Sequence, residues 1–238
     1  MNRLTLLGLV LLGVLFGAGG MWLAERAAPG DLSGADRARV ERIVRDYVLA
    51  HPELLPEAME RLQQKESSKA VAAHRGAIEE PYGDAWIGAK DADVTLVEFY
   101  DYNCGYCRAA LPTIERLVAE DKRLRVVFKE MPVLADSSRN AARAALTAAS
   151  QGRFKPFHDA LYAAGQVTPD TIRAAAAKAG VNLAAVPADA DATIRDTLDT
   201  AAKLGISGTP SWVVGDQLLT GALPIEKLKE AVSAARAR

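Results

Sequence analysis

The chain is short of cysteine. Its 238 residues contain two, Cys104 and Cys107, and only three histidines, His51, His74 and His158. A closed zinc site takes four ligands, and no histidine stands at metal-ligand spacing from the thiols, so the sequence argues against a structural metal and no cofactor is expected. Two cysteines give at most one bridge. Between residues three apart it would close a minimal loop, and loop-closure entropy grows with loop length, so it would stabilise the fold little. Charge of one sign is also missing: 29 Lys and Arg stand against 30 Asp and Glu, a net charge of -1. A nucleic-acid surface normally needs a basic excess, and none is expected as a partner. Aromatics make up 6% of the chain while alanine is abundant, which favours helix. There is no internal repeat and no low-complexity tract. Beyond residue 24 there is no long apolar run, so the chain has at most one membrane span.

What is present begins at the N-terminus. No charged side chain occurs from Leu4 to Ala24, and Arg3 precedes that run. A basic residue before an apolar stretch is an export signal. About 20 apolar residues suffice to span a bilayer, so residues 1–24 read as a signal peptide or a membrane anchor. The small residues Gly17 to Gly20 suit a peptidase, while Trp22 suits a membrane interface. Either way the rest is exported, periplasmic or extracytoplasmic, where disulfides persist.

Residues 25–37 mix Pro, Gly, Ser and charge and read as a linker. Val40, Ile43, Val44, Tyr47 and Val48 recur at helical spacing, and His51-Pro52 breaks that helix. A second helix carries Leu54, Leu55, Met59 and Leu62 on one side and runs on through a polar stretch to Pro81. That second half looks too polar for a core. Two readings of residues 38–80 stay open: a solvated connector, or an interchain stalk that makes a homo-oligomer.

Val94–Tyr100 is rich in β-branched and aromatic residues and reads as a buried strand. Arg108–Glu120 has helical spacing and Leu124–Lys129 reads as a second strand, giving a parallel pair with a crossover helix. Residues 136–204 are a helical block that Gly152, Gly165 and Gly180 divide into roughly four helices. Ser211–Val214 and Leu218–Gly221 form a hairpin, and a closing amphipathic helix runs from Pro224.

Between the first strand and its helix lies the cysteine pair, CGYC. At such a junction backbone N–H groups and the positive end of the helix dipole favour a thiolate at Cys104. Cys107, one turn on, is more shielded. Cys104 is therefore the expected attacking sulfur and Cys107 the resolving one, with exchange through a mixed disulfide. Glu98 interrupts an apolar strand six residues earlier. It is either a buried acid of raised pKa, suited to taking a proton near a buried thiol, or an edge glutamate facing water. Lys129 is either its partner or a surface lysine. Thr209-Pro210 precedes a strand; the ordinary X-Pro bond is trans, and a cis bond would turn Thr209 outward toward a substrate.

These pieces resemble the thioredoxin superfamily, in particular the DsbA-like exported thiol-disulfide oxidoreductases: VTLVEFYDYN, CGYC, RVVFKEMP, the helical block and GISGTPSWVV, together covering residues 86–236. The resemblance implies an α/β thioredoxin fold at 81–238 with a DsbA-type helical insertion at 133–205. A helical extension at 38–80 and the signal or anchor helix precede it. It implies a cis Pro210 facing the cysteines, with Glu98 and Lys129 as buried acid and partner. Typical DsbA oxidases carry Pro-His between the cysteines and Val before the cis-Pro. Gly-Tyr and Thr resemble the isomerase DsbC and ScsC-like members instead. Tyr106 brings no charge to activate Cys104, so a couple less oxidising than the DsbA value of about -120 mV is expected. The implied substrates are exported proteins with cysteines, recognised near Thr209 and an apolar surface around Tyr106 and Trp212. A membrane redox partner would recycle the pair. A dedicated thiol reductant and a redox-inactive chaperone are the rival readings.

Overall fold

The computed structural model describes residues 33–237. The signal or anchor segment at 1–24 and the linker up to residue 32 lie outside the described residues. Among the described residues no helix is long and apolar enough to cross a membrane.

The chain divides into two compact units at Met59 and Glu60. In the first, helix α1 runs over Gly34–Ala50 and buries no residue. It starts earlier than the expected linker boundary at 37. Ser33 caps it by accepting from the N–H of Asp36 at 3.2 Å, and a capped helix begins at its cap rather than at its first apolar residue. Helix α2 spans Leu54–Glu79.

In the second unit a five-stranded sheet has the order β1-β3-β2-β4-β5. The strands are β1 (Trp86–Gly88), β2 (Val94–Tyr100), β3 (Leu124–Glu130), β4 (Ser211–Val214) and β5 (Gln217–Thr220). All seven residues of β2 are buried because it is central, parallel to β3 on one side and antiparallel to β4 on the other. Helix α3 (Gly105–Glu120) makes the crossover, α4 (Asp136–Ser150), α5 (Phe154–Ala163), α6 (Pro169–Ala179) and α7 (Ala190–Lys203) form the insertion, and α8 (Ile225–Arg236) closes the chain. This is a mixed α/β thioredoxin fold with a DsbA-like insertion.

Alternation along the strands gives the sheet two faces. Leu96, Tyr100, Val126, Phe128, Trp212 and Val214 pack with α3, α5 and α8. Val97, Phe99, Val127, Met131 and Val213 pack on the other face with Ala201 and Leu204. That second face also takes Val71 and Ile78 of α2, 0% and 1% exposed. The polar second half of this helix is thus part of the core, contrary to the expectation from its composition. Two apolar residues seven apart lie on one stripe, which mean polarity conceals.

Candidate active site

Strand β2 ends in the turn Asp101-Tyr102-Asn103, which delivers Cys104 to the first turn of α3. The turn is fixed from beneath. The buried Asp101 carboxylate accepts from the N–H groups of Asn103, Val133 and Leu134 at 2.8, 2.9 and 3.0 Å. The Asn103 amide reaches the hydroxyls of Ser137 and Ser138 at the start of α4. Cys104 is the N-cap residue of α3, and its Sγ accepts from the N–H of Cys107 at 3.3 Å. A sulfur in this position meets the otherwise unpaired donors of the first helical turn.

The second wall comes from 105 residues further along the chain. The Thr209-Pro210 bond is cis, and the Thr209 carbonyl accepts from Cys104 Sγ at 3.3 Å. The loop is pinned on both sides: Pro210 O accepts from the N–H of Gly221 at 2.8 Å, and the Ser211 hydroxyl donates to Gly208 O at 2.8 Å. Cys104 is therefore bracketed between a helix start and a strand entry. Both cysteines are free thiols, 5% and 1% exposed for Cys104 and Cys107.

Glu98 lies on the same sheet face beneath them and is fully buried, not an edge residue. Among the described residues its Oε1 has no hydrogen-bond partner. Burial first, and the Cys104 sulfur second, raise its carboxyl well above the ordinary range. Burial, reinforced by Glu98, pushes the Cys107 thiol up as well. Acid and thiol thus both resist ionisation, burial being the larger cause for each.

Two expected residues stand elsewhere. Lys129 does not pair with Glu98. It is in register with Phe99, on the opposite face, and its ammonium donates to the carbonyls of Ala77 and Glu80 at 2.9 and 2.6 Å. Alternation decides this: Glu98 is paired with Phe128, so the next residue of β3 points away. Trp212 offers no surface for a substrate. It is fully buried in the core, with its Nε1 donating to Gly221 O at 2.9 Å. Tyr106 is 69% exposed, and Val133 and Leu134, 47% and 53% exposed, lie on the segment whose N–H groups Asp101 holds.

Sequence reasoning missed Glu130, Tyr100, Tyr102, His158 and Tyr162, a buried polar and aromatic cluster beneath the site. Glu130 was legible in principle. Val126, Phe128 and Glu130 alternate onto one face, and the strand continues one residue past Lys129.

Comparison with known proteins adds an independent line. The family described as DSBA-like thioredoxin domain matches residues 95–233, and the one described as Copper resistance protein ScsC N-terminal domain matches residues 36–68. The fold is similar to a linker-deletion mutant of Proteus mirabilis ScsC, at 30% identity and a TM-score of 0.71, over 88% of this chain and 99% of that one. A thioredoxin-like oxidoreductase from Silicibacter pomeroyi is 36% identical with a TM-score of 0.64, over 69% of this chain and 98% of that one. The Na(+)/H(+) antiporter NhaA 1 of Salinispora arenicola is 31% identical over 164 residues, 66% of this chain and 25% of that protein. The chain spans about a quarter of the length of the curated relatives it matches.

Proposed function

The chain belongs to the DsbA-like thioredoxin family, and from that premise we propose that it makes or reshuffles disulfides in exported proteins through the Cys104–Cys107 couple. One observation carries the reading: Cys104 Sγ sits 3.3 Å from the Cys107 N–H nitrogen and 3.3 Å from the Thr209 carbonyl oxygen. The N–H stabilises negative charge on the attacking sulfur. The loop at Thr209-Pro210 is placed for an extended substrate to lie along it beside that sulfur. Cys107 resolves the mixed disulfide, and Glu98 takes or returns its proton. Tyr106, Val133 and Leu134 offer the apolar surface for an unfolded chain.

In the oxidising direction a substrate thiolate attacks Cys104 of the disulfide form. The Cys104–Cys107 bond breaks, its electron pair goes to Cys107, and that thiolate takes the proton of Glu98. A second substrate thiolate then displaces Cys104, leaving the substrate disulfide and the reduced couple. Family membership and the uncharged N-terminal run support export to the periplasm or another extracytoplasmic space, with a membrane redox partner to recycle the couple. Equilibration with a glutathione series tests the reading. A reversible couple less oxidising than about -120 mV is expected, and Cys104→Ser should abolish exchange. Full activity in Cys104→Ser would transfer the reading to a redox-inactive chaperone. A potential near the thioredoxin value of about -270 mV would favour a dedicated reductant.

A second reading concerns assembly. Helix α1 buries nothing and exposes Val40, Ile43, Val44 and Tyr47 on one face. An apolar stripe of this kind supports association of copies through residues 38–80.

A further inference from the structure

The sheet face turned away from Glu98 carries a cavity of about 290 Å³. Its floor is Phe99 of β2 and Lys129 of β3, neighbours in the parallel register. One wall is the end of α2 with the residues that follow it, including Ile78 and Glu80. The other wall is α7, which contributes Thr193, Asp196, Thr197 and Thr200. These four fall at i, i+3, i+4 and i+7, one stripe of the helix roughly 10 Å long. A stripe at this spacing that faces inward is ordinarily apolar. Here it is three hydroxyls and a carboxylate.

The stripe is not satisfied from within. A threonine inside a helix can turn its hydroxyl back to the carbonyl four residues earlier, as Thr147 does to Arg143 O at 2.8 Å. Among the described residues the hydroxyls of Thr193, Thr197 and Thr200 make no hydrogen bond, and Asp196 has neither a hydrogen bond nor an ion pair. Thr197 is only 8% exposed and lines the cavity. A hydroxyl buried to that degree costs free energy until something in the cavity meets it. Lys129 is already engaged. Two of its three N–H donors go to the carbonyls of Ala77 and Glu80. The lining therefore holds more acceptors than donors, and two carboxylates, Glu80 and Asp196, against one ammonium.

We propose that this cavity binds a small aliphatic diamine. Its two ammonium groups answer the carboxylates of Asp196 and Glu80, and their N–H donors reach the threonine hydroxyls. Its alkyl chain lies over Ile78 and Phe99, both 1% exposed in the cavity floor and wall. Other small ligands match less well. A quaternary ammonium brings charge without donors, an alcohol brings a donor without charge, and an anion meets two carboxylates. The site stands apart from the thiol-disulfide reading, because strand alternation sets Phe99 and Lys129 on the face opposite Glu98. Affinity follows the charge of Lys129. Burial lowers its amine to about 8, against the raising effect of Glu80. The titratable groups on the walls around it are Glu80 and Tyr82 after α2 and Asp196 on α7. Tyr82 is raised to about 12 by burial and by its hydrogen bond to Asp189, so it stays neutral. Above pH 8 the cavity loses its own cation and keeps both carboxylates, so a dication binds more tightly there.

The test is calorimetric titration of the full chain with 1,4-diaminobutane. Saturable binding to one site is expected. Butylamine should bind more weakly, and butanol and the N-permethylated diamine should give no saturable heat. Asp196→Asn should weaken diamine binding about tenfold or more, the loss of one charge-assisted contact. Thr197→Val keeps the shape and removes the buried hydroxyl. It should weaken binding about fivefold while its urea midpoint is no lower than that of wild type. Binding to wild type should tighten as pH rises through 8, and Lys129→Met should bind more tightly at pH 7 and lose that dependence. No saturable heat with wild type overturns the inference and leaves the cavity to water. Equal binding of butanol or the permethylated diamine overturns it as well, since recognition would then not be of N–H-bearing cations. Butylamine binding as tightly as the diamine overturns the two-carboxylate assignment. Unchanged affinity in both Asp196→Asn and Thr197→Val would place the diamine elsewhere on the chain and overturn the site.

Discussion

Glu98 is a fully buried carboxyl whose Oε1 has no hydrogen-bond partner among the described residues, and its effect on stability has a definite sign. Its folded pKa is raised above the unfolded value, so its contribution is fully present below the ordinary carboxylate range and is lost as pH rises through the folded value. Glu98→Gln should therefore be more stable than wild type at pH 7.5, by about 1–3 kcal/mol. The gap should close toward pH 4. Urea midpoints across that range measure it, and the same variant should slow disulfide exchange. His158 acts in the opposite direction. Its ring titrates at about 3 when folded, below the ordinary 6.5, so stability is present above pH 6.5 and lost on acidification toward pH 3. The loss should approach about 1.4 kcal/mol per pH unit. His158→Phe should flatten that limb while losing about 1 kcal/mol at neutral pH, because Tyr102 then lacks its partner. The sequence flagged Glu98 because a charge in an apolar run stands out. It did not flag His158 or Tyr162, since their meeting with β2 depends on where α5 docks, and nothing local encodes that.

At the scale of elements, β2 was legible because a run of Val, Thr, Leu and aromatic residues suits a strand buried on both faces. Helix α2 was legible in extent but not in packing. Its stripe of Val71 and Ile78 is two residues wide, and only the sheet face reveals what it covers. Ile78→Ala should lower stability by about 2–4 kcal/mol, measured by urea unfolding. Lys129 secures the same helix. Its ammonium satisfies the carbonyls of Ala77 and Glu80 at the C-terminal end, where positive charge is favoured. Lys129→Met should lower stability by about 1–2 kcal/mol and leave the glutathione exchange rate unchanged, because the lysine lies on the sheet face away from Cys104. A loss of exchange in this variant would restore the Glu98 partnership that the register opposes.

At the scale of the molecule, α1 presents an apolar stripe and has no buried residue of its own. If copies associate there, sedimentation should give a mass above that of one 25.4 kDa chain. Paired changes such as Ile43→Glu with Tyr47→Glu should reduce it to one chain without altering the redox potential. A monomeric wild type would remove that reading and leave the CxxC chemistry standing. What the sequence determined by itself was local and periodic: helices and strands from their spacing, the cysteine pair at a strand-helix junction, and the apolar N-terminal run. What only the tertiary structure decided was which side chains meet. The cis Thr209-Pro210 loop reaches Cys104 across 105 residues of chain, Lys129 turns from Glu98 through one step of strand alternation, and Glu130 shares a sheet face with Glu98 because parallel pairing sets β3 in that register. Periodicity is a property of neighbours along the chain. The site is made by contacts between residues far apart in it, fixed only once the core has packed.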